Sequence, residues 1–423
     1  MFWNRHITIV FVVFFLVGAT NCRATQPTSS KEEYNRFRQL SGQYMPMTVE
    51  DHWYVITGLE KLLLEYPNTF LRGDISMLLL QNYSEVTDDA TLLTELAENM
   101  FTLRNHDNSS YLLAAMVFVE KGIRSDKTLF FAQKAVEGAR EKSEKWSDYE
   151  RSVLISQMLL ARAYQLAGQH QKAVLEVKKV VKGWQLLDDA DLTVVDRQAS
   201  VDRAQLSLLK IYIAEKAWQK AYVLACDLLQ RSVVRDDVAN LWSEAYIGRF
   251  GSVKGMSTVY AKLHSEWEEQ VIKRIQNERI SKPTPLFEVE KLNGDQIRLA
   301  DLKGKPVVLM FWRMGCGPCI EGMTHLSRLK ARFRNVAFLV VNIDEDTPLR
   351  RGFVYNSRSQ RGMLWDIALG GEELPKAFGS ENVPYTCVID AEGNIRYEHK
   401  SLGNDLGAAI SHQLEWLLAE GKK

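Results

Sequence analysis

Almost no proline interrupts the chain between Met47 and Ile280, and Pro67 is the single exception. Apolar residues recur throughout this stretch at steps of three and four, which places them on one face of a helix. No run of strand length alternates apolar and polar residues. Because proline is disfavoured in helix interiors and this spacing is typical of helices, the stretch predicts an all-α region.

Small and aromatic residues repeat within this region. They fall into three units: Leu160, Ala163, Tyr164, Gly168 and Ala173; Leu208, Ile211, Tyr212, Trp218 and Ala221; Trp242, Ala245, Tyr246 and Gly251. The units resemble tetratricopeptide repeats, in which paired helices cross at small residues and a glycine permits the turn between them. Lys216 stands where the second unit is expected to have its glycine. The resemblance implies a helical repeat domain over residues 46–281 that binds protein partners; a plain helical bundle without a groove is the alternative.

The helical pattern ends at a pair of prolines. Pro283 and Pro285 each disfavour helix at the preceding residue, so the helix that contains Trp267 is expected to end before Lys282. A second domain is therefore predicted over residues 282–423. Its predicted segments are strands at 286–290, 296–299, 307–312, 336–343, 387–390 and from 395 onward, with a helix at 406–419. With a helix between the third and fourth strands, this order is that of an α/β thioredoxin fold.

Two cysteines follow directly after the buried strand that ends at Trp312. Cys316 and Cys319 are expected at the start of the next helix, where unpaired N–H groups and a partial positive charge stabilise a thiolate. Cys316, the more exposed sulfur, is expected to attack a substrate disulfide, and Cys319 to resolve the mixed disulfide. Gly317 and Pro318 form the spacer that brings both sulfurs to bonding distance, and the proline pre-sets the helical backbone. The segment predicts thiol–disulfide exchange.

A zinc half-site and a static structural disulfide are the other interpretations of the cysteine pair. Zinc needs four ligands, and the sequence has no second Cys-x-x-Cys and no close histidine pair. A static bridge does not require a buried strand before it and a helix after it. The redox interpretation is therefore favoured, with no metal and no cofactor. The redox potential stays open, because potentials differ by about 150 mV across this fold.

Residues 285–423 resemble the TlpA-like thioredoxins, a family within the thioredoxin and AhpC/TSA superfamily. The resemblance is carried by the segments LNGDQIRLADLKGKPVVLMFW, CGPC, VVNIDED and VPYTCVIDAEGNI. It implies that Cys316 and Cys319 are the nucleophilic and resolving thiols. It also implies that Trp312, Val383 and Pro384 form the substrate-docking surface, with Pro384 in the cis form beside the cysteines.

The chain departs from this family around the cysteines. Gly315 replaces a tryptophan, and Arg313 replaces a small residue. Met310 and Gly322 occupy the two places where relatives keep a buried carboxylate that accepts the proton of the resolving thiol. Resolution is therefore expected to be slow, although Glu321 stands one residue away and offers a substitute through a water molecule.

The N-terminus predicts export. A basic start precedes the apolar residues 7–19, a run that is shorter than the ~20 residues of a membrane span and suits a signal peptide. Residues 1–24 are assigned to the signal and residues 25–45 to a tether. Cleavage after an alanine, lipidation at Cys22 and retention as an uncleaved anchor all stay open. In each case the protein is expected to be periplasmic or otherwise extracytoplasmic.

The charge balance excludes partners that bind through a strong field. Lys+Arg and Asp+Glu both number 53, so nucleic acid is not an expected partner.

The sequence instead predicts an exported enzyme that reduces or isomerises protein disulfides, takes electrons from a membrane thiol relay and binds partners through its helical repeats. A non-catalytic scaffold and a redox-sensing interaction protein are the alternatives. Cys226 and Cys387 are expected to pack as small apolar residues.

Overall fold

The computed structural model describes residues 31–42, 49–103, 108–141, 149–187, 194–231, 235–314, 316–344, 354, 367–380, 382–400 and 406–421. The chain divides into two compact units, Met1–Leu187 and Asp188–Lys423. Helices make up the first unit and begin the second, and a mixed sheet follows, which confirms the predicted fold class. The predicted signal segment, residues 1–24 with Cys22, lies outside the described residues. The predicted boundary at residue 282 stays a prediction.

The described part of the first unit is a succession of helices in which each packs against the next. They are α1 (Lys31–Gly42), α2 (Val49–Glu65), α3 (Arg72–Val86), α4 (Ala90–Leu103), α5 (Asn108–Glu120), α6 (Asp126–Glu141), α7 (Tyr149–Leu166) and α8 (His170–Leu186). One apolar cluster joins α1, α2 and α3, and a second extends from α3 to α7. Across the described residues, no helix has both the length and the apolar character of a membrane span.

Helix α1 lies within the segment that was predicted to be a tether. The helix covers residues 31–42 of the segment 25–45. Leu40 is buried against α2, where Gly58 leaves room: a Cβ at Gly58 would lie 2.6 Å from the Leu40 Cδ2 atom. An ion pair between Arg36 and Glu65 joins the same two helices. Leu40 is therefore part of the apolar core, although it belongs to the segment assigned to the tether.

The second unit begins with four helices. They are α9 (Val194–Ala214), α10 (Trp218–Arg231), α11 (Arg235–Phe250) and α12 (Met256–Asn277). Ala221, Trp242 and Ala245, three of the predicted repeat residues, are fully buried in the cluster that these helices share. Helix α12 ends before the two prolines, as predicted.

In all three predicted units, one residue of the turn between the helices has a left-handed backbone. Gly168 has φ +71°, Lys216 φ +56° and Gly251 φ +67°, all in the left-handed region. In the first two turns the following amide donates back to the tyrosine carbonyl of the preceding helix, at 2.9 Å for Gln169 and 2.8 Å for Ala217. Lys216 therefore takes the backbone conformation of the missing glycine, although this region is strained for a residue with a Cβ.

The rest of the second unit is a sheet with the strand order β1-β8-β7-β4-β5-β6-β2-β3. Its strands are β1 (Lys282–Pro283), β2 (Glu288–Lys291), β3 (Gln296–Arg298), β4 (Val307–Trp312), β5 (Ala337–Asn342), β6 (Ile367–Leu369), β7 (Tyr385–Ile389) and β8 (Asn394–His399). Strands β4, β5 and β6 run parallel, and the other neighbours are antiparallel. The short strands β1 and β6 were not predicted. The domain also contains helices α13 (Gly317–Arg332), α14 (Glu373–Ala377) and α15 (Leu406–Glu420).

Helix α12 packs on α15 of this domain. Val271 and Ile275 of α12 form a buried cluster with Ala409 of α15, and Trp267 and Trp416 pack around it. After α12 the chain also makes a backbone hydrogen bond to the sheet: the amide of residue 280 donates to the carbonyl of residue 396 at 2.9 Å. The last helix of the helical region is thus attached to the sheet domain by apolar packing.

Candidate active site

Strand β4 determines where the cysteines lie. All six of its residues are buried, and it pairs with β5 on one side and β7 on the other. Such a continuous apolar run is typical of a strand covered on both faces. Its carboxyl end leads through residues 313–316 into α13. The loop at this edge therefore starts from a rigid central strand.

Cys316 and Cys319 form a disulfide at the start of α13, with their Cα atoms 5.2 Å apart. The residue exposure is 8% for Cys316 and 0% for Cys319. Cys316 is thus the less buried residue of the pair. This order of exposure suits a nucleophile followed by a buried resolving thiol.

Cys316 is the N-cap residue of α13. Its Sγ accepts a hydrogen bond from the Cys319 amide at 3.1 Å, and Pro318 lies in the first turn of the helix. The first amides of a helix have no partner within the helix and carry a partial positive charge. A thiolate on Cys316 would be stabilised by the same amide after reduction. Gly317 and Pro318 thus form the spacer at the helix start, as expected.

The bond between Val383 and Pro384 is cis, as the resemblance implied. Tyr385 pairs with Phe311, so one further step of this antiparallel register brings Pro384 beside the end of β4. Val383 is half-buried and packs on the apolar cluster that contains both cysteines. The structure therefore brings the Val383–Pro384 segment and the disulfide to the same edge of the sheet.

Trp312 requires a correction to the predicted docking surface. Its side chain is fully buried, in the same cluster as the two cysteines, and it has no surface to offer a docked chain. The reason is that β4 is covered on both faces up to its last residue. Trp312 instead packs beneath the disulfide.

The departures from the family leave an apolar environment around Cys319. Met310 and Gly322 are buried in the region of the resolving sulfur, and Glu321 is only partly buried. Arg313 is half-exposed and pairs with Glu372 at 3.1 Å, so its charge is already partly neutralised. Gly315 lies outside the described residues. Met310 belongs to the hydrophobic cluster that contains both cysteines.

Asn342 and Asp344 are residues of the site that sequence reasoning did not single out. Asn342 is the last residue of β5, and Asp344 lies two residues further along, next to the loop that carries Cys316. The Asp344 Oδ2 accepts the Met314 amide at 2.7 Å and the Asn342 Nδ2 at 2.9 Å. The signal was present in the VVNIDED segment, where a polar residue ends a buried strand and an aspartate follows two residues later.

The other two described cysteines, Cys226 and Cys387, lie away from this edge. Cys387 is fully buried, and burial raises the pKa of its thiol. Cys226 is half-buried, accepts a hydrogen bond from the Trp242 Nε1 at 3.3 Å, and also has its pKa raised by burial. Both environments favour the neutral thiol, which suits the predicted packing role. Among the described residues, no three His, Cys, Asp or Glu side chains are grouped as metal ligands.

The family model described as the AhpC/TSA family matches residues 280–398, which include both cysteines. Thiol-disulfide oxidoreductase ResA of Bacillus thuringiensis subsp. konkukian is 32% identical over 138 residues, covering 32% of this chain and 75% of the relative. ResA of Bacillus anthracis is 31% identical over 119 residues, 28% of this chain and 67% of the relative. A solved structure from Chlorobium tepidum, described as a thiol:disulfide interchange protein DsbE, is 23% identical with a TM-score of 0.30, covering 33% of this chain and 96% of that one.

Proposed function

Because this chain belongs, through its C-terminal domain, to the AhpC/TSA family and to the thiol–disulfide oxidoreductases within it, we propose that Cys316 and Cys319 are its catalytic dithiol. The observation that carries the proposal is the disulfide at the start of α13, in which Cys316 is the more exposed sulfur and accepts the Cys319 amide. The proposed substrates are disulfides in other proteins, which the enzyme reduces or isomerises without a cofactor.

The proposed reaction moves two electrons in two steps. In the reduced enzyme the Cys316 thiolate attacks one sulfur of a substrate disulfide, which forms a mixed disulfide and releases the other substrate sulfur as a thiolate that takes up a proton. Cys319 then loses its proton and attacks Cys316, which restores the enzyme disulfide and releases the second substrate thiol. A dithiol donor must return the enzyme to the reduced form.

Docking is proposed for the segment beside the disulfide. Pro384 offers no N–H, and the preceding Val383 lies half-buried at the same edge, so a substrate backbone pairing there would reach Cys316. Trp312 supports this edge from below. The apolar surroundings of Cys319 raise the cost of removing its proton, which is consistent with slow resolution.

The wider setting of the enzyme is also part of the proposal. The apolar N-terminal run supports export, and Cys22 remains a candidate for lipidation. An extracytoplasmic reductase would draw electrons from a membrane thiol relay. The helical region is proposed to be a repeat array that binds protein partners. The shared left-handed turns at Gly168, Lys216 and Gly251 support the repeat part of this proposal.

Reduction of insulin by dithiothreitol tests the catalytic pair. The intact protein is expected to accelerate the reaction, and Cys316→Ser is expected to abolish the acceleration. Cys226→Ser is the matched control, because it removes a thiol on a helix of the second unit that lies outside the site. Equal activity of the Cys316→Ser variant and the intact protein would contradict the assignment.

A non-catalytic scaffold is the second candidate, favoured by Met310 and Gly322 in place of a buried acid. Expression of Cys319→Ser in the native host distinguishes the two, because this variant cannot release a substrate held on Cys316. Proteins captured as mixed disulfides on Cys316 would identify the substrates. If no protein is captured, the scaffold function is supported. A redox-sensing role predicts instead that partner affinity changes with the state of the disulfide.

A further inference from the structure

The loop that carries Cys316 is held by a carboxylate from the neighbouring strand. The Met314 amide donates to the Asp344 Oδ2 at 2.7 Å. The Cys316 amide donates to the Arg313 carbonyl at 3.2 Å, which closes the turn that contains Met314. Asp344 therefore binds the middle of the turn whose last residue is the nucleophilic cysteine.

Asp344 is itself held in place by the end of β5. Its Oδ2 accepts the Asn342 Nδ2 at 2.9 Å, and its amide donates to the Asn342 Oδ1 at 3.2 Å. Asn342 is fully buried, and its carbonyl accepts the Gly370 amide at 2.9 Å. The next amide, from Ile343, donates to the Trp312 carbonyl at 3.0 Å. The carboxylate is thus fixed by three neighbouring parallel strands.

We propose that Asp344 is a positioning residue of the redox site, which acts on Cys316 through the Met314 amide; the proposal rests on the proposed role of Cys316. A hydrogen bond from a backbone amide to a carboxylate is charge-assisted and stronger than a neutral one. Asp344 therefore restricts the turn in which Cys316 meets the amides of α13.

The charge of Asp344 acts in the opposite direction to its hydrogen bond. A carboxylate near Cys316 disfavours a thiolate there, whereas a well-placed turn favours it. Asp344→Ala removes both the charge and the hydrogen bond. Asp344→Asn removes the charge but keeps an oxygen that can accept the Met314 amide. The difference between these two variants therefore measures positioning alone.

The experiment measures alkylation of Cys316 by iodoacetamide in the reduced full-length protein as a function of pH, with the modified peptide followed by mass spectrometry. We expect the apparent pKa of Cys316 to be about one unit higher in Asp344→Ala than in Asp344→Asn, because misplacement weakens stabilisation of the thiolate. In the insulin assay, Asp344→Asn is expected to stay within about threefold of the intact protein, and Asp344→Ala to fall by about tenfold or more.

Identical alkylation profiles for Asp344→Ala and Asp344→Asn would overturn the proposal. Alkylation does not require a substrate disulfide, so it gives an answer even if the protein reduces no insulin, and the two proposals fail separately. If Asp344→Ala does not fold, Asp344→Glu replaces it. That variant keeps the charge and displaces the accepting oxygen by one methylene, so a pKa equal to that of the intact protein would again count against positioning.

Discussion

The two sulfurs at the start of α13 have unequal surroundings, and their reactivity should differ accordingly. Cys316 keeps 8% of its surface exposed and lies at the positive end of the helix, whereas Cys319 is fully buried among apolar side chains. Thiolate character and access together decide how fast a cysteine is alkylated.

We therefore expect iodoacetamide to modify Cys316 at least about ten times faster than Cys319 in the reduced protein at neutral pH. Peptide mass spectrometry after short exposure measures the ratio. The oxidised protein is the control, since neither sulfur is free in the disulfide. Faster labelling of Cys319 would mean that the assigned roles are reversed.

Buried Cys387 predicts a loss of stability at alkaline pH. Burial raises the pKa of its thiol in the folded state, while the unfolded value is about 8.5. Below the unfolded pKa the thiol is protonated in both the folded and the unfolded state, so the free energy of unfolding does not depend on its titration. Above it the unfolded chain releases the proton and the folded chain does not, so the free energy of unfolding falls by about 1.4 kcal/mol per pH unit.

Urea unfolding of the oxidised protein between about pH 7.5 and pH 10 tests this slope. The Cys387→Ala variant should lose less stability over this range, whatever its stability at neutral pH. Tyr385, whose pKa burial also raises, contributes only above about pH 10. If the free energy of unfolding falls equally steeply with pH in both proteins, the pKa of Cys387 does not differ between the folded and unfolded states.

At the residue scale, the sequence predicted the cysteines and the cis-proline because short motifs carry them. It did not predict the role of Asp344, since that role depends on a contact between the ends of β4 and β5, far apart in the chain. It placed Trp312 on the docking surface because a motif gives a residue's identity but not whether both faces of its strand are covered.

At the scale of helices, the turn at Lys216 offers a direct measure of backbone strain. Lys216 has φ +56°, a conformation that costs residues with a Cβ about 1–2 kcal/mol relative to the right-handed region. Gly168 occupies the corresponding turn of the preceding unit with φ +71° and open space around it.

We expect Lys216→Gly to raise the free energy of unfolding by about 0.5–1 kcal/mol, because part of the relieved strain is offset by the greater freedom of glycine when unfolded. Gly168→Ala should lower it by about 1 kcal/mol. Urea unfolding followed by far-ultraviolet circular dichroism measures both changes in stability. A shift in the midpoint reports the change directly when the dependence of the unfolding free energy on urea concentration is the same in each variant. The turns are not equivalent if the two substitutions shift the midpoint in the same direction.

The elements that the sequence predicted are those with long, regular patterns. The proline-poor stretch gave helices, and the apolar runs at β4 and β5 gave buried strands. Strands β1 and β6 were missed because two or three residues are too few to show a period, and they exist only by pairing with β8, β2 and β5. Helix α1 was missed because its burial depends on Gly58, in another helix.

At the scale of the second unit, α12 and the sheet domain are joined by two kinds of contact. Val271, Ile275 and Ala409 form an apolar cluster, and Arg279 makes two hydrogen bonds to Glu420 at 2.7 and 2.6 Å. Exposed ion pairs contribute about 0–1 kcal/mol, and buried apolar side chains contribute more. The cluster should therefore dominate the attachment.

Hydrogen exchange at the Ile280 amide, which is bonded to the Arg396 carbonyl, reports on this attachment. Ile275→Asp places a charge in the cluster and should accelerate exchange at Ile280 by more than about tenfold, because an unpaired buried charge is costly. Glu420→Gln should change exchange only a few-fold. A larger effect from Glu420→Gln would assign the attachment to the ion pair.

The packing of α12 on α15 has a practical consequence for anyone who wishes to isolate the redox part of the molecule. The two prolines after Lys282 look like a natural place to cut, and the family match begins at residue 280. A fragment that starts there would leave Ala409 and Trp416 without their cover and would tend to aggregate. The expressed fragment should instead begin upstream of Met256, so that it includes α12, which covers Ala409 and Trp416.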